Sequence, residues 1–358
     1  MLVQAVVSQG EPVTVSPSQV EIGLRANEAA TQAVFAIYQA RRPENTRRAQ
    51  RAALGLFSAY MRTCGIATPD LFNEPWAWQG ITWGLVQDFQ GWQLEQGYSV
   101  KSVNDRVSVI KVYMGLANQA GIIPDGEILR LRSIKGFTRK EGIDADKARA
   151  AQGLDTRKGA KTAAAVLLTD DQARKLKTGQ PDSPQGRRDA LLMTLLLDHG
   201  LRVSEVAGLC VENIDRDAKM MTFYRQKTGR VSKHALRGRA WRLMAAYLVR
   251  DQKEASGPLL LASCKSGALL ASAGMTVRAI HERVKDLGRA VGIENLSPHD
   301  CRHYGATKAG HDPEVSLAAL MSWGDWQSPT SAARYIERGQ ADNDGVSLGL
   351  DDDFEQEK

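Results

Sequence analysis

At 358 residues the chain is too long for one ordinary hydrophobic core, so two domains are expected. Its 43% hydrophobic and 25% charged residues are typical of a soluble globular protein, and no apolar run is long enough for a transmembrane helix. The first residues lack the basic and apolar regions of a signal peptide. The four cysteines have no paired spacing, which indicates reduced thiols and argues against a disulfide framework or a zinc site.

The positive charge of the chain is unevenly distributed. The formal net charge is +6, and residues 341–358 contribute −6 because they hold seven acidic residues and one lysine. Residues 1–340 therefore carry +12. A basic body with an acidic tail is typical of a protein that binds a polyanion, although a solvated surface with a disordered tail has the same composition.

The first predicted domain is helical. Residues 1–24 are predicted to be a flexible N-terminus, because prolines and Gly23 interrupt any period, and residues 25–135 have apolar positions at helical spacing. Pro43 opens a second helix and Ser99 opens a later one. No strand pattern interrupts this region, which we interpret as a helical bundle.

Basic residues cluster at two places in this half of the chain. Arg47, Arg48 and Arg51 fall in the first turns of the second helix, where they oppose the helix dipole, so helix stability does not explain them. Residues 136–166 are predicted to be a basic linker, with a run of charge that includes Arg157 and Lys158. A linker that passes along DNA has this composition, as does any soluble tether.

Residues 167–340 are predicted to form a second domain of mixed structure, followed by the acidic tail at 341–358. Thr169 is a suitable N-cap for its first helix. Residues 219–236 have strand character interrupted by Thr228 and a glycine, which predicts a hairpin. The other predicted elements are an apolar helix at 190–197, helices near 238–251 and 276–290, and a loop with one short strand at 258–274.

Basic side chains and a lone tyrosine follow one another in the second domain in an order that indicates phosphate chemistry. Each has an ordinary alternative: Arg202 can form a surface pair with Glu205, Lys227 can be a simple turn lysine, and Tyr335 can be a core residue. The pattern therefore depends on the whole set. In chain order its members are Arg202, Lys227, His299, Arg302, a tryptophan and Tyr335.

This order closely resembles the tyrosine site-specific recombinases, the family of phage integrases and of the Cre and Xer recombinases. The resemblance covers about residues 25–340 and implies a mainly α fold with a small β-hairpin or sheet. It implies an N-terminal helical core-binding bundle and a C-terminal α+β catalytic domain. The matching segments are 199–206 (HGLRVSEV), 226–230 (QKTGR), 297–303 (SPHDCRH), 333–336 (ARYI) and, in the first domain, 45–48 (NTRR) and 99–106 (SVKSVNDR).

The resemblance assigns a role to each member of the set. Tyr335 would attack a DNA phosphate and form a 3′-phosphotyrosine, which conserves bond energy and requires no ATP, metal or other cofactor. Arg202 and Arg302 would stabilise the charge that develops on the phosphate oxygens. Lys227 would protonate the leaving 5′ oxygen, and Lys233 on the returning strand competes for that role. His299 would donate or accept a proton near neutral pH.

The tryptophan turn, residues 322–326 (SWGDW), departs from the common family pattern. Most members have a histidine nine residues before the nucleophile, where this chain has Trp326, as Cre-like members do. An indole can pack and donate one hydrogen bond but cannot shuttle a proton, so Trp326 is assigned phosphate contact and packing. Trp323 is the other candidate for this position. His303 is expected to pack locally, and Glu205 matches an acidic residue expected to orient the site.

The resemblance also implies partners. The expected ligand is double-stranded DNA with inverted-repeat half-sites, and the expected assembly on it is a homo-tetramer. The protein is expected in the cytoplasm, without membrane association. Its expected origin is a prokaryote, a phage or a plasmid. Lys101 and Arg106, in the second motif of the first domain, join the arginines of the second helix and the linker as expected DNA contacts. The acidic tail is expected either to dock on a neighbouring subunit or to be disordered.

Two other functions fit parts of the pattern. A catalytically silent DNA-binding protein of the same fold would not need the full set of Arg, Lys, His, Arg and Tyr. A type IB topoisomerase would use a similar pocket to relax supercoils as a monomer, but the helical first domain has the recombinase pattern.

Overall fold

The computed structural model describes residues 17–153 and 166–336. The chain divides into two compact units, Met1–Lys161 and Thr162–Lys358, and the division falls within the predicted linker. The fold is mainly α with small antiparallel sheets, as predicted. The predicted acidic tail lies outside the described residues.

The first unit is a helical bundle with an aromatic core. Its helices are α1 (Pro17–Ala40), α2 (Glu44–Thr63), α3 (Trp83–Glu95), α4 (Val100–Gln119), α5 (Asp125–Leu131) and α6 (Arg139–Ala151), with a 3₁₀ turn at Pro75–Trp78. Trp78 is fully buried, and its indole N–H donates to the carbonyl of Leu71 at 2.9 Å. The ring of Tyr113 lies 6.3 Å from that of Trp78, and the rings of Phe57 and Phe89 are 5.0 Å apart. The bundle therefore closes around ring contacts between α2, α3, α4 and the 3₁₀ turn.

Two predictions about flexible segments were wrong in part. Residues 17–24 belong to α1, because a proline is tolerated in a first helical turn and Gly23 costs a helix only about 1 kcal/mol. Within the predicted linker, residues 139–151 form α6, which starts at a capping box between Thr138 and Glu141. No residue of α6 is buried, so its sequence lacks the apolar period that would have predicted it. Residues 1–16 lie outside the described residues.

The second unit is built around a helix that is buried on all sides. This is α8 (Pro184–Leu197), in which every residue from Arg188 to Leu197 is buried, and it packs against four other helices of the described residues. The helices of the unit are α7 (Asp170–Thr178), α8, α9 (Val203–Ala207), α10 (Gly238–Arg250), α11 (Val277–Ala290), α12 (Pro298–Gly310), α13 (Leu317–Gly324) and α14 (Pro329–Ile336).

Five short strands complete the second unit. Strands β1 (Ile214–Asp215), β2 (Met220–Arg225) and β3 (Arg230–Ala235) form an antiparallel sheet in that order, and the predicted hairpin is its β2–β3 pair. Strands β4 (Leu261–Ser263) and β5 (Leu269–Gly274) form a second hairpin where a loop with one strand was predicted. Its turn contains Gly267 at φ +85°, a conformation that glycine adopts readily, and the small residues of β5 gave no alternating pattern.

Candidate active site

Arg202 lies where the chain leaves α8 and enters α9. Its backbone N–H donates to Oε2 of Glu205 at 2.8 Å. Its Nη1 donates to Oε1 of Glu205 at 2.7 Å and to Oδ2 of Asp325 at 3.3 Å. Glu205 and Asp325 are buried. Two carboxylates from distant parts of the sequence therefore hold the same guanidinium nitrogen.

Arg302 is buried on α12, whose start is fixed by a capping box between Ser297 and Asp300. Its guanidinium donates to the carbonyl oxygens of Gly200 and Gly324. Burial, and then the nearby Arg202, lower the pKa of Arg302 to about 10. The side chain is still protonated at neutral pH, so it places a fixed positive charge inside the unit.

Tyr335 is buried on α14 between two other rings. Its ring centroid lies 4.9 Å from that of Trp326 and 4.9 Å from that of His303. His303 in turn contacts His299 edge-on at 5.1 Å, which places it between the exposed His299 and the tyrosine. A Cβ at Gly310 would lie 2.9 Å from the carbonyl oxygen of Tyr335, so α12 and α14 approach closely here.

The two tryptophans of the turn have different surroundings. The indole N–H of Trp323 donates to the carbonyl of Asp198 at 3.1 Å. A Cβ at Gly200, which has φ +58°, would lie 2.2 Å from the ring of Trp323, so only glycine fits there. Trp326 instead lies beside Tyr335 and 5.1 Å from the guanidinium carbon of Arg302.

The β2–β3 hairpin reaches the tryptophan turn through its own turn. Oγ1 of Thr228 donates to Oδ2 of Asp325 at 2.7 Å. Lys227, the residue before it, is exposed and forms no ion pair within the described residues. Lys233, the competing lysine, lines a different cavity of about 740 Å³ together with His199 and His234.

All six predicted side chains of the set line one cavity of about 560 Å³. They are Arg202, Lys227, His299, Arg302, Trp326 and Tyr335. Several residues that the sequence did not predict as site residues share this cavity: Thr228, His281, Asp325 and Ser331. The cavity thus combines three cationic side chains, two histidines and one buried phenol.

The sequence did not predict a role for Arg225, which makes several contacts beside the cavity. It is fully buried, and its Nη1 lies 3.4 Å from Oε2 of Glu205. It also donates to the carbonyl of Trp323 at 3.0 Å and to Oγ of Ser232 at 2.6 Å. The available signal was its position two residues after buried Phe223, on the buried face of β2.

His234 lies beside Arg225, and His199 lies beside His234, with 5.7 Å between the two ring centroids. Nη2 of Arg225 lies 3.2 Å from Nε2 of His234, and since a guanidinium can only donate, this nitrogen is the acceptor. Burial, followed by His199 and Arg225, lowers the pKa of His234 to about 3. Burial also lowers the pKa of His199, whose Nε2 has no hydrogen-bond partner in the described residues.

The basic residues predicted to contact DNA in the first unit differ in how they are held. Arg47 pairs with Glu44, and Lys101 pairs with Asp105. Two others lie over aromatic rings within the unit: Arg51 over Phe72 at 4.4 Å and Arg106 over Tyr98 at 4.2 Å. Arg48 is exposed. Arg157 and Lys158 lie outside the described residues.

Two kinds of feature are absent from residues 17–153 and 166–336. No helix there is long and apolar enough to span a membrane. No group of three or more histidine, cysteine, aspartate or glutamate side chains there is arranged to hold a metal ion. The carboxylates of Glu205 and Asp325 bind arginine side chains.

Comparison with known proteins identifies the family. The model of the phage integrase family matches residues 167–341. The matched segment, residues 167–341, belongs to the phage integrase family. The match confirms the resemblance stated from the motifs and the expectation of a recombinase enzyme.

The curated relatives are bacterial tyrosine recombinases. Tyrosine recombinase XerD of Neisseria meningitidis serogroup B is 33% identical over 146 residues, which are 40% of this chain and 48% of that protein. Tyrosine recombinase XerD of Pseudomonas aeruginosa is 24% identical over 303 residues, which are 83% of this chain and 88% of that protein. The matched region thus spans about half of the first relative and most of the second.

Solved structures of integrases share the fold. The Tn1549 transposon integrase in complex with transposon right end DNA has a TM-score of 0.58 at 14% identity, covering 87% of this chain and 96% of that one. A lambda integrase dimer bound to a COC′ core site has a TM-score of 0.53 at 16% identity, with the same coverage. At these identities the comparison confirms the fold class.

Proposed function

We propose that this chain is a site-specific DNA recombinase that cuts and rejoins DNA through a 3′-phosphotyrosine. The observation that carries the proposal is the gathering of six side chains, from five separate segments of the second unit, around one cavity. Family membership supports the reaction class. The integrases of similar fold were solved on DNA, which supports DNA as the substrate.

The cleavage step places two arginines at the reacting phosphate. The phenol oxygen of Tyr335 attacks phosphorus, a tyrosyl–phosphate bond forms, and the bond from phosphorus to the 5′ oxygen breaks. The transition state has extra negative charge on the non-bridging oxygens, and Arg202 and Arg302 provide fixed guanidinium donors for it. Removing one such donor is expected to lower the rate about 10²–10³-fold.

Proton transfer is assigned to Lys227 and His299, the two exposed members of the set. The ammonium of Lys227 gives a proton to the leaving 5′ oxygen, and His299 takes up the proton released by the phenol. Trp326 packs against Tyr335 and is proposed to donate its indole N–H to the phosphate. The phosphotyrosine conserves the energy of the broken bond, so religation by a 5′ hydroxyl needs neither ATP nor a metal ion.

The assembly follows from strand exchange between two duplexes. We propose a homo-tetramer on inverted-repeat half-sites that exchanges strands through a Holliday junction, in the cytoplasm and on the nucleoid. Arg48, Arg51 and Lys101 of the first unit, with Arg47 and Arg106, are proposed to contact phosphates, as are Arg157 and Lys158. Contact with phosphates makes binding strongly dependent on salt.

The test begins with the DNA target. Covalent adducts are captured on fragmented genomic DNA and sequenced, and a nicked suicide duplex is built from a recovered site. The wild type should form an adduct on this duplex, Tyr335→Phe should form none, and the matched change Tyr224→Phe, at an exposed tyrosine of β2, should act as the wild type. Absence of any adduct would favour a silent DNA-binding protein. Adducts without junctions between two duplexes would favour a type IB topoisomerase.

A further inference from the structure

Asp325 has a backbone conformation that aspartate seldom adopts. It ends α13 in the left-handed region, with φ 53° and ψ 47°. For a residue other than glycine such a conformation is strained, and it persists only where surrounding contacts fix it. Its side chain is also buried, at 5% exposed. Contacts of the carboxylate therefore offset both the strain and the burial.

Those contacts join the hairpin turn to the arginine of the cavity. Oδ2 of Asp325 accepts from Oγ1 of Thr228 at 2.7 Å and from Nη1 of Arg202 at 3.3 Å, and Oδ1 accepts from Gln327 at 3.4 Å. Thr228 is the residue after Lys227. Asp325 thus links the backbone that carries the lysine to the guanidinium beside it.

Other hydrogen bonds of the turn are internal to the hairpin. The N–H groups of Thr228 and Gly229 both donate to the carbonyl of Arg225, which fixes the shape of the turn. The Arg225 side chain ties the end of β2 to the tryptophan turn. At the tip, the hydroxyl–carboxylate bond of Thr228 holds the turn against the cavity wall.

We propose that Thr228 and Asp325 are positioning residues that hold Lys227 over the leaving 5′ oxygen. The inference rests on the proposed recombinase function. Lys227 has a flexible four-carbon side chain and no ion pair within the described residues, so its reach depends on where the turn is held. A small displacement of a proton donor lowers a rate sharply, by up to about 10²-fold for 1 Å.

The test uses a substrate that does not need the lysine. In a 5′-bridging phosphorothiolate, sulfur replaces the leaving oxygen, and a thiolate leaves without protonation because a thiol is far more acidic than an alcohol. On ordinary suicide DNA, single-turnover adduct formation by Thr228→Val should fall about 10- to 100-fold. On the phosphorothiolate it should return to within a few-fold of the wild type, as it should for Lys227→Ala. Arg202→Ala should stay impaired on both substrates.

Matched variants distinguish an effect on the position of Lys227 from a general loss of folded protein. Thr228→Ser keeps the hydroxyl and should restore cleavage of ordinary DNA. Thr222→Val makes the same change within β2 and should leave it unaffected. In an Asp325→Gly background, which also removes the backbone strain, Thr228→Val should have no further effect.

Two results would overturn the inference. Equal defects of Thr228→Val on both substrates would show that the bond does not act through proton donation, and an unaltered rate on ordinary DNA would show that the turn is held without it. Failure of the wild type to form an adduct on either substrate would instead contradict the proposed function, and the positioning role with it.

Discussion

Arg225 and Glu205 form a fully enclosed contact, with 3.4 Å between Nη1 and Oε2, and the same carboxylate holds Arg202 at the cavity. The glutamate therefore lies between a structural arginine and a proposed catalytic one. Because Arg225 also holds the Trp323 carbonyl, it connects β2, α9 and the tryptophan turn. These are the elements that bring Arg202, Lys227 and Trp326 together.

Removing Arg225 should destabilise the protein strongly. Arg225→Met keeps the bulk but leaves Glu205 and the Trp323 carbonyl without this donor, and breaking a buried pair in this way costs about 3–5 kcal/mol. The free energy of unfolding, measured by denaturant titration, should fall by that amount. Arg250→Met, at an exposed pair with Asp182, should change it by less than about 1 kcal/mol. Similar effects of the two variants would contradict the connecting role of Arg225.

The half-buried His234 predicts a loss of stability in acid. Its pKa is lowered to about 3 in the folded protein, whereas the unfolded chain takes up the proton near its ordinary value of about 6.5. Between these values the unfolded state binds more protons, so the free energy of unfolding falls as pH decreases, by up to about 1.4 kcal/mol per pH unit. The lowered pKa of His199 acts in the same direction.

This pH dependence can be assigned by substitution. His234→Gln offers Arg225 an oxygen acceptor that does not titrate, so denaturant titrations at pH 7.5, 6 and 5 should give a shallower fall than the wild type. Exposed His311, changed to Gln, is the matched control and should keep the wild-type slope. An unchanged slope in His234→Gln would show that His234 is not the group responsible.

The first unit predicts how DNA affinity responds to charge. Glu44 pairs with Arg47 at the start of α2, so Glu44→Gln should free this arginine for phosphate and raise affinity. Arg48→Ala should lower affinity and reduce the slope of log K against log salt by about 0.9, the contribution of one phosphate contact. Binding is measured by fluorescence anisotropy across salt concentrations. Glu28→Gln, at an exposed position of α1, controls for net charge.

The motifs predict which side chains line the cavity, because all of the six except Trp326 lie in short segments that match the family pattern. Thr228 and the glycine after it predicted the hairpin, and segment 297–303 was one of the matching motifs. Arg225 and Asp325 were missed for a physical reason. Their importance comes from partners 20 to 123 residues away, and no local period indicates such a partner.

The sequence did not predict helix boundaries correctly where few residues of the helix are buried. Gly23 and the exposed first turns of α1 gave no apolar stripe, and α6 buries no residue, so capping and intrinsic propensity were the signals available. The β4–β5 hairpin was missed because its strands carry small residues instead of alternating large ones. None of the residues that line the cavity belongs to these elements. The cavity is where side-chain chemistry makes the sequence most informative.

Substitutions of the two tryptophans of the turn should affect different properties: adduct formation for Trp326 and stability for Trp323. Trp326→Phe keeps a ring against Tyr335 but removes the proposed indole donor, so adduct formation should fall about 10-fold, as for one lost hydrogen bond to a charged group, with little change in stability. Trp323→Phe loses the bond to the Asp198 carbonyl, which should lower the free energy of unfolding by about 1 kcal/mol while folded protein cleaves normally. Adduct formation is measured in single turnover and stability by denaturant titration. If Trp323→Phe lowered adduct formation and Trp326→Phe lowered only stability, the family's histidine position would belong to Trp323, whose ring packs against Gly200.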